Sequence, residues 1–376
     1  MKIRLWLFAL LSIAAAMIAL LAVRHPVPVA ADPVEVDTVP LPNTVPATDS
    51  RIHYVGRFDT SDPGGPRCEW AASAVELNFH GTALNVVINE QGEDRYEVEI
   101  DGWPQAVLPV HNGKHVYSIA SGLPALNHTL KLFKRTEPSF GRTQFVEFQL
   151  NDGDHLNNPT RYSRRRIEAV GDSITTGYGN EGTPSEKGTV DNEDCYLSYG
   201  AIASRFLKAD YHCIAWSGKK LWPDNDMPSI AGLTLPKDSS IHWDASQWVP
   251  QVIVVNLGSN DFYPDNPDKT GWVNACMSFI QTLRADDPKA MMYLTLGPMM
   301  SDTDPPGHHA LSTLRDYLNT VVAQREALGD KRIRLLEFEQ EDPTTGVGAE
   351  GHPNIETHEE MGERLVAAIQ SDLRWK

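Results

Sequence analysis

The hydrophobic pattern of this chain changes once, near residue 154, and that change restricts the fold more than any other feature. Across 51–150, short segments with alternating or continuous apolar residues follow one another, separated by turn signals such as Asp101-Gly102 and Asn112-Gly113. After residue 154, short apolar segments alternate with longer segments of helical spacing. The first pattern predicts an antiparallel β-sandwich, and the second predicts a doubly wound parallel sheet flanked by helices.

The elements expected from these patterns define a two-domain α/β chain. In the β-sandwich, expected at 51–155, strands are predicted at 74–79, 84–88, 96–100, 115–119, 129–133 and 145–148. In the second domain, expected at 156–376, a strand before Gly171 precedes strands at 211–215, 252–257, 291–296 and 333–338. Helices are predicted at 198–208, 272–284, 310–328 and 359–373. We expect the β-sandwich to pack against the second domain without chemistry of its own.

The first residues have the composition of a targeting segment. Lys2 and Arg4 precede an uncharged apolar stretch at 5–23, and small residues at 29–31 offer a cleavage site. We therefore expect a signal peptide at 1–31, with an uncleaved membrane anchor as the alternative. The proline-rich segment 32–50 is expected to be a linker. Either reading predicts that the remaining chain is exported, to the periplasm or outside the cell.

Charge and cysteine usage exclude several classes of function. The net charge of −17 argues against nucleic-acid binding and against polyanionic substrates, and it suits a neutral substrate. The four cysteines are too few and too scattered for a disulfide scaffold. A pair between Cys195 and Cys213 and buried free thiols both remain open. No spacing of cysteine or histidine suggests a metal site.

The strand before Gly171 ends in Gly171-Asp172-Ser173, where the chain must turn sharply. Open α/β sheets bind ligands outside the carboxyl ends of their strands. A serine at this position exposes its hydroxyl there, and the first N–H groups of the following turn point at whatever it attacks. Ser173 is therefore a candidate acyl-transfer nucleophile, whereas a turn serine that caps a helix is the structural alternative.

Three more strand ends carry residues that a serine nucleophile needs. Gly218 follows the strand at 211–215, Asn260 follows the strand at 252–257, and His352 follows the last strand. A nucleophilic serine needs a general base and hydrogen-bond donors for the developing oxyanion. His352 can be the base, and the Gly218 N–H and the Asn260 amide can be donors. Singly, each residue could be a turn former, a helix cap or a surface loop residue.

These blocks resemble those of the SGNH hydrolases, the GDSL-type esterases: Gly171-Asp172-Ser173-Ile174, Gly218, Gly258-Ser259-Asn260-Asp261 and His352-Pro353. From about residue 51 to the C-terminus the chain is similar, more specifically, to family 2 of the carbohydrate esterases. Further stretches carry this likeness, among them Val55-Gly56-Arg57-Phe58, Lys134-Arg135-Thr136-Glu137 and Tyr196-Leu197-Ser198-Tyr199-Gly200-Ala201. The resemblance implies a jelly-roll-like β-sandwich followed by a flavodoxin-like SGNH domain.

The resemblance also implies an activity. It predicts a secreted O-acetyl esterase that acts on an acetylated polysaccharide or oligosaccharide of plant type, glucomannan or xylan, often at a 6-O-acetyl group. It implies that Ser173 attacks the acetyl carbonyl, that His352 moves the proton, and that the N–H groups of Ser173 and Gly218 and the Asn260 amide hold the oxyanion. It requires no cofactor and no metal, and we expect no nucleic acid and no obligate protein partner.

The third triad position departs from the common pattern. Many SGNH enzymes have an aspartate three residues before the histidine, and here that residue is Ala349. The nearest acid is Glu350, two residues before His352. Some family members use a Ser-His pair whose imidazole is oriented by a backbone carbonyl. We therefore predict that Glu350 orients His352 weakly or not at all.

Aromatic residues after the strand ends are candidates for contact with sugar rings. Trp216, Trp222 and Phe262 are the predicted substrate contacts, and Tyr263 adjoins Phe262. Trp216 and Phe262 could instead be core residues beside their strands. Asp172 and Asp261 are interpreted as residues that hold the turns.

Two other functional classes fit parts of the sequence. SGNH domains also cleave lipids and thioesters, but a lipase would favour an apolar groove, and the loops at 180–194, 224–226 and 261–268 are polar. A non-catalytic carbohydrate-binding protein would have lost its nucleophile, whereas Ser173, Asn260 and His352 are all present.

Overall fold

The structure is a computed structural model that describes residues 34–35, 40–159, 163–303 and 306–376. The expected signal segment, 1–31, lies outside these residues. Within the described ranges, no helix combines the length and the apolar character needed to cross a lipid bilayer.

The N-terminal part of the chain forms an antiparallel β domain whose strands belong to one hydrogen-bonded network. Tyr96, Tyr117, Phe145 and Phe148 are among the buried side chains of its core. The strands are β1 (Val34–Glu35), β2 (Asn43–Pro46), β3 (His53–Val55), β4 (Arg67–Cys68), β5 (Ala74–Gly81), β6 (Leu84–Ile100), β7 (Trp103–Pro104), β8 (Leu108–Ala120), β9 (Leu126–Lys134), β10 (Thr143–Leu150) and β11 (His155–Leu156).

Strand β6 is a single 17-residue strand and not the two strands predicted at 84–88 and 96–100. It pairs with β8 along its length, with β10 through its first part and with β9 through its second part. Gly92 lies at a register shift between Glu90 and Glu93, and a side chain there would collide with the Phe140 carbonyl. The glycine therefore marks a β-bulge.

The turn predicted at Asn112-Gly113 is also wrong, because both residues lie inside β8 opposite this bulge. Gly113 has a positive φ of 109°. The predicted linker, 32–50, is partly structured as well: Asn43–Pro46 forms β2 and pairs with β10. Pro46 cannot donate a hydrogen bond, which suits an edge strand with one partner.

The C-terminal part contains a five-stranded parallel sheet in the order β13-β12-β14-β15-β16. Its strands are β12 (Arg166–Gly171), β13 (Asp210–Ala215), β14 (Val252–Asn256), β15 (Met291–Leu296) and β16 (Ile333–Glu337). This is the flavodoxin-like order, in which the first strand lies between the second and the third. The predicted α/β fold class is confirmed.

Helices cover both faces of this sheet. The helix α2 (Tyr199–Leu207) and the helix α5 (Ile355–Leu373) pack on one face, and α3 (Lys269–Asp286) and α4 (Ala310–Ala327) pack on the other. A one-turn helix, α1 (Ser173–Thr176), follows β12. Short 3₁₀ turns occur at Cys195–Leu197, Ala245–Gln247 and Ala349–Gly351. Because β12, β13, β14 and β15 are buried along almost their whole length, their carboxyl ends are the accessible place for a site.

The β domain packs against strands β12 and β13 of the parallel sheet, as expected. The Arg57 guanidinium donates to the Glu168 carboxylate at 3.2 Å and to the Leu233 carbonyl at 3.1 Å, and the ion pair is buried. The Gly56 N–H donates to His212 Nε2 at 3.1 Å. Burial lowers the pKa of His212 to about 4, so its ring is neutral and Nε2 can accept.

Candidate active site

The carboxyl ends of three adjacent strands, β13, β12 and β14, lie side by side in the parallel sheet. Gly171, the last residue of β12, pairs with Ala215 of β13 and with Asn256 of β14. The strand order reverses between β12 and β14, the place where open α/β sheets bind their ligands. Ser173 follows the end of β12 by two residues and is 5% exposed.

Local contacts force the turn that presents Ser173. A Cβ at Gly171 would lie 2.1 Å from Thr175 Oγ1 and 2.9 Å from the Asn256 carbonyl, so only glycine fits. Asp172 caps α1, because its Oδ1 accepts from the Ile174 N–H at 3.1 Å. The predicted turn-holding role of Asp172 agrees with this geometry.

Ser173 and His352 are in direct contact. The distance between Ser173 Oγ and His352 Nε2 is 2.9 Å. On the other side of the ring, His352 Nδ1 lies 3.2 Å from the Ala349 carbonyl oxygen. A carbonyl can only accept, so Nδ1 carries the hydrogen in this bond and Nε2 is left to accept from the serine hydroxyl. The loop is closed by the Gly348 N–H, which donates to the His352 carbonyl at 2.6 Å.

Glu350 points away from this pair. Its carboxylate accepts from the Tyr178 hydroxyl at 2.8 Å and from the Gly188 N–H at 3.3 Å. Among the described residues, no hydrogen bond joins the Glu350 carboxylate to the His352 ring. The Tyr178 ring lies beside the imidazole, with a centroid distance of 4.7 Å. This geometry agrees with the prediction that a backbone carbonyl, and not Glu350, orients the histidine.

Burial lowers the pKa of His352 from its ordinary value. The hydrogen bond to the Ala349 carbonyl and the charge of Glu350 both oppose that shift, and burial outweighs them. The imidazole is therefore neutral at and below neutral pH, the state that a general base requires.

Asn260 connects the loops that follow the three strands. Its Nδ2 lies 3.2 Å from Asp172 Oδ2 and 3.0 Å from the Lys219 carbonyl. Ser259 Oγ donates to the same Asp172 oxygen at 2.5 Å. Burial raises the pKa of Asp172 to about 7, although the hydrogen bonds from Ser259 and Ile174 oppose it. The Asn260 amide thus joins the neighbour of Ser173 to the neighbour of Gly218.

Gly218 lies exposed at the end of the β13 loop with a φ of +76°. A Cβ there would meet nothing within 4 Å, so the backbone conformation, and not space, favours glycine. The Lys219 N–H donates to the Trp216 carbonyl at 3.2 Å, which closes a turn around Ser217 and Gly218. The structure therefore places Ser173, His352, Asn260 and Gly218 at one edge of the sheet.

Phe262 is not available to a substrate, and the prediction that it contacts sugar is wrong. Its side chain is 2% exposed. The ring packs against Trp272 of α3 and Tyr317 of α4, with centroid distances of 6.0 Å and 5.4 Å. Trp272 belongs to the next helix in the chain and Tyr317 to a helix more distant in sequence, and together they cover a residue that otherwise follows a strand end.

The other predicted aromatic contacts remain accessible to different degrees. Trp216 is half-buried, with Lys219 Nζ 5.1 Å from its ring centroid. Trp222 is also half-buried and packs against Gly271 at the start of α3. Tyr263, the neighbour of Phe262, is 73% exposed. In this loop, the aromatic ring that a substrate can reach is therefore that of Tyr263.

Of the two possibilities for the cysteines, a Cys195–Cys213 disulfide or buried free thiols, the structure has free thiols. Cys68, Cys195, Cys213 and Cys276 are all buried and unpaired by disulfides. They lie in the cores of the two domains and line no part of the site.

One residue beside the site was missed by the sequence reasoning. Glu137 belongs to the β domain, for which no chemistry was expected, yet its carboxylate accepts from the Ser217 N–H at 2.7 Å. The only signal was its place in Lys134-Arg135-Thr136-Glu137, a stretch noted for its resemblance and not for a role.

Comparisons with known proteins agree with this architecture. The family model "Carbohydrate esterase 2 N-terminal" matches residues 54–159, and the model "GDSL-like Lipase/Acylhydrolase family" matches residues 169–359. The structure of a family two carbohydrate esterase from Clostridium thermocellum, in complex with cellohexaose, is 41% identical with a TM-score of 0.82. The match covers 86% of this chain and 100% of that chain.

Two relatives have described activities. Cellulase/esterase CelE of Acetivibrio thermocellus is 42% identical over 331 residues, which are 86% of this chain and 40% of that protein. This chain therefore spans less than half the length of CelE. An acetylxylan esterase / glucomannan deacetylase of Cellvibrio japonicus is 22% identical over 342 residues, 89% of this chain and 92% of that protein.

Proposed function

This chain belongs to the family two carbohydrate esterases, which are carboxylic ester hydrolases, and from that premise we propose that it removes O-acetyl groups from plant-type polysaccharides. The proposed substrates are acetylated glucomannan, including its 6-O-acetyl groups, or acetylated xylan. The observation that carries the proposal is the 2.9 Å contact between Ser173 Oγ and His352 Nε2, with the Ala349 carbonyl behind the imidazole.

In the proposed mechanism, Ser173 Oγ attacks the acetyl carbonyl while His352 Nε2 takes its proton. The protonated imidazole then gives that proton to the departing sugar oxygen, which leaves an acetyl group on Ser173. Water, deprotonated by the same imidazole, attacks the acetyl-serine. The imidazolium then returns the proton to Ser173 Oγ as acetate leaves, which restores the free enzyme. Ala349 keeps the ring oriented through both steps, and its carbonyl stabilises the imidazolium that forms.

The developing oxyanion is proposed to accept from the N–H groups of Ser173 and Gly218 and from the Asn260 amide. In the free protein both hydrogens of Asn260 Nδ2 face acceptors, Asp172 Oδ2 and the Lys219 carbonyl. The 3.2 Å contact with Asp172 is the longer of the two. If Asn260 gives it up, the Asp172 carboxylate still accepts hydrogen bonds from Ser259 and Ile174. We propose that Asn260 redirects this hydrogen to the oxyanion.

The surroundings of the site suit a neutral sugar chain. Tyr263 offers an exposed aromatic ring, and Trp216 and Trp222 offer half-buried ones. Sugars present apolar C–H faces that pack on such rings. The relative solved with cellohexaose and the relatives named as glucomannan deacetylases support a β-linked polysaccharide. The proposed export of the protein rests on the composition of residues 1–31.

Acetate release tests the proposed function. Wild type and Ser173→Ala are incubated with acetylated glucomannan, acetylated xylan, p-nitrophenyl acetate and p-nitrophenyl palmitate. We expect wild type to release acetate from a polysaccharide and from the small acetyl ester, and the variant to release none above background. Palmitate hydrolysis without acetate release would contradict the proposal in favour of a lipase. Sugar binding without any turnover would favour a binding protein.

A further inference from the structure

The loop at 135–141, which follows β9, leaves the β domain and reaches the catalytic edge of the parallel sheet. The Arg135 carbonyl accepts from the Cys195 N–H at 2.9 Å, and the Arg135 guanidinium lies 3.2 Å from the Asp194 carboxylate. Lys237 Nζ donates to the Pro138 carbonyl at 2.7 Å. The loop is therefore held between two segments of the catalytic domain.

Glu137 is at the centre of this loop and is 2% exposed. One carboxylate oxygen accepts from the Ser217 N–H at 2.7 Å, and the other accepts from Ser139 Oγ at 2.5 Å. The Glu137 N–H donates to Glu193 Oε1 at 2.6 Å. A buried carboxyl that uses both oxygens as acceptors and reaches across a domain boundary makes a specific interdomain contact and is not a solvated surface group.

Of the two buried carboxyls, Glu137 and Glu193, Glu137 is the more acidic. Burial raises the pKa of Glu137, and the donors on Ser139 and Ser217 and the charge of Lys134 oppose the shift. Burial and the charge of Glu137 raise the pKa of Glu193 far above its ordinary value. Two adjacent buried carboxyls cannot both ionise cheaply, and the stronger upward shift makes Glu193 the more easily protonated of the two.

The hydrogen bond that the Ser217 N–H donates is one of those that fix the turn around Gly218. On one side of Gly218, Ser217 donates to Glu137; on the other, Lys219 donates to the Trp216 carbonyl. The Gly218 carbonyl accepts from Asn225 Nδ2 at 3.0 Å. Among the hydrogen bonds of the described residues, the Gly218 N–H donates to no partner, so it is free to donate to a substrate oxygen.

We propose that Glu137 is a positioning residue for the oxyanion hole: its carboxylate holds the Ser217 N–H and so aims the next peptide N–H, that of Gly218, at the carbonyl oxygen of the substrate. The inference rests on the proposed function, which makes the Gly218 N–H an oxyanion donor. It gives the β domain a part in catalysis, because the acceptor that the Ser217 N–H uses belongs to the β domain. A donor that is displaced by about 1 Å loses much of its effect on the transition state.

Kinetics of position 137 variants test this role. We expect Glu137→Ala to lower kcat for p-nitrophenyl acetate about 10- to 100-fold with KM changed less than about threefold. Glu137→Gln should recover most of kcat, because an amide oxygen still accepts from Ser217. Ser139→Ala is the matched control: it removes the other hydrogen bond to the same carboxylate and should leave kcat within about twofold.

Two additions keep the test decisive. If Glu137→Ala does not fold, Ser217→Pro removes the same hydrogen bond from the donor side, at a turn position that favours proline, and should lower kcat similarly. Phosphonylation of Ser173 by a p-nitrophenyl phosphonate, followed by intact mass, needs the nucleophile and the oxyanion hole but no sugar. The phosphonylation rate of Glu137→Ala should fall by the same factor as kcat.

The outcomes separate the two proposals. If wild type is phosphonylated but releases no acetate from any ester, the proposed function fails while the role of Glu137 is still measured. If folded Glu137→Ala keeps wild-type kcat and phosphonylation rate, or if Ser139→Ala loses as much as Glu137→Ala, the positioning role is overturned.

Discussion

At the scale of single residues, the orientation of His352 decides how the site works. Its Nδ1 faces the Ala349 carbonyl, while the nearest acid, Glu350, is engaged by Tyr178 and Gly188. A carbonyl fixes the tautomer and direction of the ring as an aspartate would, but contributes no full charge to stabilise the imidazolium. The Glu350 carboxylate acts on His352 only at a distance, because its charge raises the His352 pKa against the effect of burial.

Glu350→Gln should therefore shift the pH dependence of kcat/KM and leave the catalytic mechanism unchanged. The amide can still accept from the Tyr178 hydroxyl, but the charge that raises the His352 pKa is gone. Activity falls as pH drops through this pKa, since the base must be neutral, so the acid limb of kcat/KM should move to lower pH. The plateau of kcat should change far less than the about 10⁴-fold seen when a triad acid is neutralised.

The measurement is kcat/KM of Glu350→Gln and wild type from about pH 5 to about pH 8. Glu339→Gln, which changes an exposed acid just after β16, is the control and should not shift the acid limb of kcat/KM. If Glu350→Gln lowered the plateau as much as neutralising a triad acid does, Glu350 would be the third member of a catalytic triad.

Single residues were predictable where their role follows from local sequence. Ser173, Gly218, Asn260 and His352 each follow a short apolar strand, and parallel strands bring such ends to one edge. Phe262 obeyed the same rule and was assigned wrongly, because Trp272 and Tyr317 cover it from two helices. Exposure depends on packing between distant segments, which the local pattern does not contain.

At the scale of elements, one carboxylate ties the loop after β13 to the helix α3. Asp261 Oδ1 accepts from the Trp222 N–H at 2.9 Å and from Trp272 Nε1 at 2.8 Å. The Leu221 N–H lies 3.0 Å from both of its oxygens. These donors are buried or half-buried, and water does not replace the carboxylate readily. Asp261 therefore holds the segment that carries Trp222, which agrees with its predicted turn-holding role.

Asp261→Ala should lower the free energy of unfolding by about 3 kcal/mol or more, because each buried donor left unpaired costs about 1–3 kcal/mol. Urea unfolding at neutral pH measures the loss. Asp265→Ala, an exposed acid of the same loop, is the control and should stay within about 0.5 kcal/mol of wild type. Equal stability of the two variants would refute the structural role of Asp261.

Element boundaries were predictable in the C-terminal domain and less so in the β domain. The helix expected at 310–328 is observed as Ala310–Ala327, because the period of a helix is visible in its own sequence. Strand β6 was divided at Gly92 and β2 was assigned to a linker. Both errors concern antiparallel pairing with β10, whose residues lie far away in sequence and leave no local signature.

At the scale of the whole molecule, two contacts make the β domain part of the enzyme. The buried pair of Arg57 and Glu168 joins it to strand β12. Glu137 then extends from it to the turn that carries Gly218. Removing one partner of a buried ion pair generally costs about 3–5 kcal/mol, because the other charge is left buried without a partner. The sequence predicted that the domains pack together but not that one reaches the site of the other.

The most direct test of the proposed mechanism is to trap its covalent intermediate. Wild type is mixed with p-nitrophenyl acetate, quenched in acid within the first turnovers, and examined by intact mass and peptide mapping. We predict a burst of p-nitrophenol and one acetyl group on Ser173, both absent in Ser173→Ala. Steady acetate release by Ser173→Ala, or an acetyl group that maps to another residue, would contradict the Ser173–His352 mechanism.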